Sequence, residues 1–379
     1  MLVLQSIAAV FLILACAGSL YAIAAAAMVG RIRQPASQSP RPTEPVSVLK
    51  PLCGDEPGLA SNLAGFTRQD YPGEVQIVAG VQDPLDPAQQ AVAEVREREP
   101  GADLELVVDG RVHGSNRKVS NLINLLGHAR HDVLVISDAD IAVPSDYLSR
   151  VVQALAEPGV GAVTCYYYGQ GRRGIWSRLA AMGISYSFLP NVTLGVATGL
   201  ARPCMGSTIA IRRPTLERIG GFGRVADALT DDYAIGQALH EQGDKVALAP
   251  FFVEHACAER SLPELFAHEM RWAVTVRAID PAGHFGTLVT HATPLALIGA
   301  VLAGGAPASL AVLALALGAR FWLKARVDAA AGASSGPWLL MPARDLLSCA
   351  VFVSSHFTKA VRWKGSSFSV AADQTLSPA

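Results

Sequence analysis

Hydrophobic positions fall into three kinds of run along the chain, and each predicts a different element. The first, LVLQSIAAVFLILACAGSLYAIAAAAMVG from Leu2 to Gly30, carries no charge and exceeds the roughly 20 residues a helix needs to cross a bilayer. It predicts a retained membrane anchor over 1–30. A cleaved signal peptide fits less well, because its apolar core is roughly 7 to 15 residues long and follows a basic segment. Arg31, Arg33 and Arg41 come next, and the bias of basic residues toward the inner side of a span places the following segment in the cytoplasm.

The second kind of run is short and β-branched. Pro35, Pro40, Pro42 and Pro45 mark a linker over 31–45. PVSVLKPL, EVQIVAGVQD, DLELVVDG and DVLVISDAD then follow, separated by stretches with helical spacing such as QQAVAEVRERE and KVSNLINLLGHAR. Strands alternating with helices at this interval predict an α/β domain with a mostly parallel sheet, extending over 46–285. In such sheets ligands bind just beyond the carboxyl ends of the strands.

The third kind is long, apolar and interrupted. ATPLALIGAVLAGGAPASLAVLALALGA, from Ala292 to Ala319, is uncharged, with Gly304, Gly305 and Pro307 near its middle; it reads as one long span or as a tight helical hairpin. PWLLMPARDLLSCAVFVSSHF, from Pro337 to Phe357, holds Arg344 and Asp345, which are costly at membrane depth unless paired or turned toward protein. A C-terminal membrane region of two or three helices over 286–379 is expected, with its topology left open by the loop charges. LAAMGISYSFLPNVTLGVATGLA, from Leu179 to Ala201, is also uncharged and long enough to span. A span there would separate Asp138 from Asp232 across the membrane, and Pro190 weakens a straight helix. The stretch is expected either to lie near the bilayer as a substrate-lining element or to be plain buried core.

Composition agrees with a membrane protein: 51% of the 379 residues are hydrophobic and 17% charged. A formal net charge of −1 gives no case for nucleic acid, which needs a strongly basic face. The six cysteines, at 16, 53, 165, 204, 257 and 349, include no Cys-x-x-Cys pair, so neither a zinc site nor a disulfide framework is indicated.

Candidate chemistry concentrates where predicted strands end. In HDVLVISDADIAVP the apolar run stops at Asp138 and Asp140. In an extended backbone residues i and i+2 point the same way, so both carboxylates can converge on one hard cation, Mg²⁺ or Mn²⁺, which prefers oxygen ligands. A solvated turn is the plain alternative. Asp83 ends an earlier strand in VAGVQDPLDP, and Asp231 and Asp232 precede the helical pattern YAIGQALHEQG, where Asp is also an ordinary helix cap. HEMRWAVTVR adds Arg271 beside Trp272.

The order Asp83, Asp138-Ala-Asp140, Asp231-Asp232-Tyr233 and His268-x-x-Arg271-Trp272 resembles the D, D-x-D, (E/D)D, (Q/R)-x-x-R-W series of inverting glycosyltransferases of the Rossmann-like GT-A fold. Within that group the chain is most similar to the ceramide glucosyltransferase branch, through VQDPLDPA at 81–88, NRKVSNL at 116–122, the GGF around 221, DDY at 231 and the layout of one leading span with a C-terminal membrane cluster. RWAVTVRAIDPAGHFGTLVTH at 271–291 resembles most the bacterial members associated with hopanoid biosynthesis.

The resemblance implies a multi-pass protein of the cell inner membrane with a cytoplasmic catalytic domain, a UDP-sugar donor and a lipid acceptor. Asp83 would bind the uridine end, and Asp138 and Asp140 would hold Mg²⁺ or Mn²⁺ on the diphosphate. Lys118 would add a cation there, with Asp231 also in the substrate site. Asp232 would be the general base, and a single displacement would invert the anomeric centre. Arg271 and Trp272 would close over diphosphate and acceptor. His268 stands where the family has Gln or Arg, and Asp140 where eukaryotic ceramide enzymes tend to lack an acid. By the same resemblance the acceptor is a hopanoid such as bacteriohopanetetrol and the sugar N-acetylglucosamine or glucose. Transfer of glucose to ceramide is the alternative, and a processive polysaccharide synthase a more distant one.

Overall fold

The computed structural model describes residues 2–32, 41–358, 360–363, 366–370 and 376–378. Most of the linker, 33–40, lies outside the described residues. In chain order the elements are α1 (Leu2–Val29), β1 (Val46–Pro51), α2 (Leu59–Thr67), β2 (Val75–Val81), α3 (Ala88–Arg98), β3 (Asp103–Val108), α4 (Arg117–Leu126), β4 (Val133–Ile136), β5 (Ile141–Ala142), α5 (Tyr147–Leu155) and β6 (Val160–Gly171). Next come α6 (Gly174–Gly183), a π-helical turn (Ile184–Phe188), α7 (Leu189–Ala197), β7 (Ile209–Arg212), α8 (Arg213–Arg218), α9 (Asp231–Glu241) and β8 (Lys245–Cys257). The chain continues through α10 (Leu262–Ile279), α11 (Pro281–Gly286), α12 (Ala292–Leu302), α13 (Pro307–Ala331) and α14 (Met341–Ser355) to three short strands, β9 (Ala360–Trp363), β10 (Ser366–Val370) and β11 (Leu376–Pro378).

These elements form two compact units. One comprises Gln34–Tyr167 and Arg202–Ala258; the other comprises Met1–Arg33, Tyr168–Ala201 and Glu259–Ala379. The division cuts across the continuous 46–285 domain expected from the sequence, because 168–201 and 259–285 pack with the long apolar helices.

The first unit is built on an eight-stranded sheet of order β3-β2-β1-β4-β7-β6-β8-β5. β1 pairs in parallel with β2 on one side and β4 on the other, Val46 facing Val75 and Val133. Val46 to Leu49 and Val133 to Ile136 are buried throughout, the signature of parallel strands covered on both faces. The parallel arrangement ends at β4, since β7 runs antiparallel to both β4 and β6, and β5 antiparallel to β8. The amphipathic α4 sends Val119, Leu122 and Leu125 into a core with Leu49, Val78, Ile136 and Phe222.

The second unit gathers the apolar helices. Val3–Val29, Gly174–Ala197 and Pro307–Ala331 are each long and apolar enough to cross a membrane. Pro281–Thr290 and Ala292–Leu302 form a further pair bent by 61°. Of the two readings of 292–319, the structure has the break: α12 ends at Leu302, Gly304 and Gly305 adopt φ of 63° and 72°, and Pro307 opens α13. A left-handed pair suits glycine, and proline suits a first helical turn. Arg344 and Asp345 are buried but paired, Arg344 Nη2 at 2.7 Å from Glu269 Oε2 and Asp345 Oδ1 at 2.7 Å from Arg320 Nη2.

Within 179–201 the chain is helical as far as Ala197, by way of a π-helical turn that ends just before Pro190. Proline has no N–H to return to the carbonyl four residues back, here that of Tyr186. Arg320 Nη1 donates to that oxygen at 2.7 Å, so a buried guanidinium replaces the missing helical bond.

Candidate active site

The site grows from the carboxyl ends of β1 and β4. After Ile136 the backbone turns, with Ile141 N donating to the Asp138 carbonyl at 3.3 Å. Asp138 and Asp140 therefore ride on a turn. This differs from the extended backbone assumed from their i, i+2 spacing, and the two carboxylates meet different partners: Asp138 Oδ1 lies 2.7 Å from Lys118 Nζ, and Asp140 Oδ2 lies 3.3 Å from His255 Nε2.

Lys118 is delivered by the N-terminus of α4. Asn116 caps that helix, its Oδ1 accepting from Val119 N at 3.2 Å, while its Nδ2 donates to the Ala228 carbonyl at 2.9 Å. The cap thus ties α4 to the segment leading into α9. Lys118 Nζ also lies 3.0 Å from Asp231 Oδ2. Burial works against the Lys118 ammonium, but Asp138, Asp231 and Asp232 outweigh it and hold it well above the ordinary lysine range.

Asp231 and Asp232 form the first turn of α9, behind Thr230 at the cap position, where carboxylates complement the helix dipole. Asp232 Oδ2 accepts from Gly206 N at 2.9 Å and its Oδ1 from Tyr233 N at 2.8 Å. Burial, then the charge of Asp231, pushes its carboxyl up to about 6, against the pull of Lys118. A Cβ on Gly206 would lie 2.8 Å from Asp138 Oδ2, 3.1 Å from Lys118 Nζ and 3.5 Å from Asp232 Oδ2. One backbone position thus touches groups brought from β4, α4 and α9.

The donor set fits a hard divalent cation when a ligand completes it. Asp140 Oδ1 is buried without a hydrogen-bond partner, a spare anionic oxygen beside Asp138. Among the described residues no group of three or more His, Cys, Asp or Glu side chains is arranged to hold a metal ion. The remaining ligands must come from water or substrate oxygens, as is usual for Mg²⁺.

Asp83 stands apart from the hydrogen bonds of this cluster. It is exposed after β2, and its Oδ1 accepts from Leu85 N at 2.9 Å. His268, Arg271 and Trp272 share α10 in the other unit. There His268 Nδ1 lies 2.6 Å from Glu259 Oε1, and its ring meets that of Trp272 edge-on at 5.0 Å. Trp272 also packs against Phe188, with ring centroids 6.0 Å apart.

Sequence reading missed His255, Gly206 and Lys50. His255 becomes visible only through the pairing of β5 with β8, which sets Ile141 against it, and its ring stacks on Tyr167 at 5.7 Å. Lys50, in the strand VSVLKP, is fully buried. Burial pushes its ammonium down to about 7, with Asp138 and Asp140 opposing.

Known proteins resemble this chain in sequence and in fold. A mannosyltransferase from Pyrobaculum calidifontis, solved with GDP-Man and Mn²⁺, superposes with a TM-score of 0.54 at 24% identity, covering 92% of this chain and 99% of that one. That likeness establishes the GT-A fold. Ceramide glucosyltransferase 1 of Caenorhabditis elegans is 25% identical over 62% of this chain and 50% of its own length. An N-acetylglucosaminyltransferase of Rhizobium meliloti is 30% identical over 32% of this chain and 28% of its own. The chain thus spans half or less of the length of these curated relatives. The model for Glycosyl transferase family 21 matches residues 9–376, nearly end to end, and the chain belongs to that family.

Proposed function

We propose that this chain is a membrane-bound inverting hexosyltransferase that moves one sugar, glucose or N-acetylglucosamine, from a UDP-sugar to a lipid hydroxyl. The observation that carries the reading is the convergence of Asp138, Lys118 and Asp232 on Gly206 in a family 21 chain. The C. elegans and R. meliloti relatives support the two sugars, and the long apolar helices support a lipid acceptor.

Asp138 and Asp140 would hold Mg²⁺ or Mn²⁺ against the donor diphosphate. Bound there, the ion supplies Lewis-acid neutralisation of charge on the departing nucleotide. Lys118, kept protonated by its three carboxylates, adds a fixed positive charge to the same region. Asp232, with a carboxyl near 6, is ionised at neutral pH yet basic enough to take the proton of the attacking hydroxyl. Gly206 N orients the Asp232 carboxylate from behind. Attack opposite the leaving diphosphate inverts the anomeric carbon, so an α-linked donor gives a β-glycoside. Arg271 offers a rigid fork of donors suited to phosphate, and His268 and Trp272 accompany it on α10. Asp83 is assigned to the uridine end of the donor, and Asp231 to holding Lys118 in place.

Membranes containing the protein, supplied with UDP-glucose or UDP-N-acetylglucosamine and either ceramide or a hopanoid polyol, should yield a β-linked glycolipid by mass spectrometry. The yield should fall on chelation of divalent cations. Turnover unchanged in Asp138→Ala would remove this site from the reaction.

A further inference from the structure

Three consecutive carbonyls of the acidic turn are each held from outside it. Lys50 Nζ donates to the Asp138 carbonyl and lies 3.4 Å from Ser137 Oγ. Asn62 Nδ2, from α2, donates to the Ala139 carbonyl at 3.2 Å. Ala256 N, from β8, donates to the Asp140 carbonyl at 2.8 Å. The last is ordinary sheet continuation beside the pairing of β5 and β8, but the first two are side-chain bonds made by buried polar groups.

Lys50 is 0% and Asn62 2% exposed. Burying a lysine is expensive, and its ammonium is normally spent on a carboxylate. Here it is directed at a main-chain oxygen, steadied by the Phe66 ring at 4.3 Å. β1 lies next to β4 in the sheet, so an apolar side chain at position 50 would fill the space without the desolvation cost. What the lysine adds is a fixed hold on the residue that begins the turn.

We propose that Lys50 and Asn62 are positioning residues for the cation and donor site. They clamp the Asp138 and Ala139 carbonyls so that the Asp138 and Asp140 carboxylates are presented in one geometry. Neither touches the donor; both act through the turn. The inference rests on the proposed role of those carboxylates, and the test separates the two.

The full-length protein in detergent is titrated with Mn²⁺ in the presence of UDP, and free Mn²⁺ is read by electron paramagnetic resonance. Lys50→Met and Asn62→Leu should each weaken Mn²⁺ binding on the order of tenfold, the scale of one lost hydrogen bond involving a charge or a buried amide. Their KM for UDP-sugar should rise more than kcat falls. Leu63→Ala, on the same helix and fully buried, should lower the melting temperature while leaving Mn²⁺ binding at the wild-type level. Wild-type Mn²⁺ affinity in folded Lys50→Met or Asn62→Leu would overturn the inference and leave the proposed function standing. A wild-type protein that binds no Mn²⁺ with UDP would overturn both. Should Lys50→Met fail to fold, Asn62→Leu decides.

Discussion

Burial and the neighbouring Asp231 push Asp232 up to about 6, whereas an aspartate in the unfolded chain titrates near ~4. The folded state therefore binds the proton more tightly, and ionised Asp232 costs stability. That cost is absent below about pH 4, grows through the interval, and is fully present above about pH 6. As a general base the same carboxylate works only when ionised, so the rate should rise as pH climbs through about 6. Asp232→Asn should lose roughly 10²- to 10⁴-fold in rate yet melt higher than wild type at pH 8, with the advantage gone by pH 4. Calorimetry across that range, beside initial rates, checks both signs. Gly206→Ala makes a different demand: its methyl would sit 2.8 Å from Asp138 Oδ2, so activity should drop on the order of tenfold or more with little change in melting temperature. The carboxylates and Lys118 were legible only through the order of the motif series they resemble, since an acid at a strand end or helix cap and a lysine opening a helix are each ordinary when read alone. Lys50, Asn62 and His255 were not, because a lysine in an apolar strand, an asparagine in a helix and a histidine in an alternating strand look ordinary until pairing shows what they face.

At the scale of elements, the strands β1 to β4 and the helices α3 and α4 were readable from period alone, since continuous apolar runs and the amphipathic α4 leave little choice. The direction of β7 and β6 was not, because it depends on partners far along the chain. The π-helical turn at Ile184–Phe188 was half legible: Pro190 announced a fault in the helix, but its remedy lies in Arg320, more than a hundred residues away. Arg320 holds the Tyr186 carbonyl at 2.7 Å and Asp345, while Thr293 Oγ1 donates to Asp345 Oδ2 at 2.8 Å. Removing one partner of a buried pair leaves an uncompensated charge, at a cost of about 3–5 kcal/mol, whereas replacing both by apolar groups is often neutral. Arg320→Met should therefore lower the melting temperature in detergent substantially, and Arg320→Met with Asp345→Leu should recover most of the loss. A double variant no better than the single one would mean that the Tyr186 carbonyl, and not the ion pair, dominates.

On the scale of the whole molecule, α1 is long and apolar enough to cross a membrane, and its packing gives it a further role. The sequence shows an apolar helix with no preferred face. In the structure α1 packs against α12, α13 and α7, and Ala8, Ala15, Ala22 and Val29 are each at most 3% exposed. Their seven-residue spacing forms one seam, as in helices that pack along their length. Small side chains let backbones approach closely where lipid gives no hydrophobic drive. A Cβ on Gly18 would fall 2.1 Å from the Val289 carbonyl oxygen, and one on Gly299 2.8 Å from the Leu12 side chain. Outward positions such as Ile13 and Leu20, 67% and 68% exposed, carry the large side chains. A simple anchor would tolerate any apolar residue on any face; a packed helix would not. Ala15→Leu and Gly18→Leu keep the hydrophobicity of the span, so both should still insert, yet each should destabilise the protein by about 1–3 kcal/mol or more through overpacking. Ile13→Ala and Leu20→Ala should leave the melting temperature and the size-exclusion profile unchanged. Equal behaviour of the two pairs would reduce α1 to a tether. The expected asymmetry would mean that cutting it away to obtain a soluble enzyme strips the helices it packs against of their core.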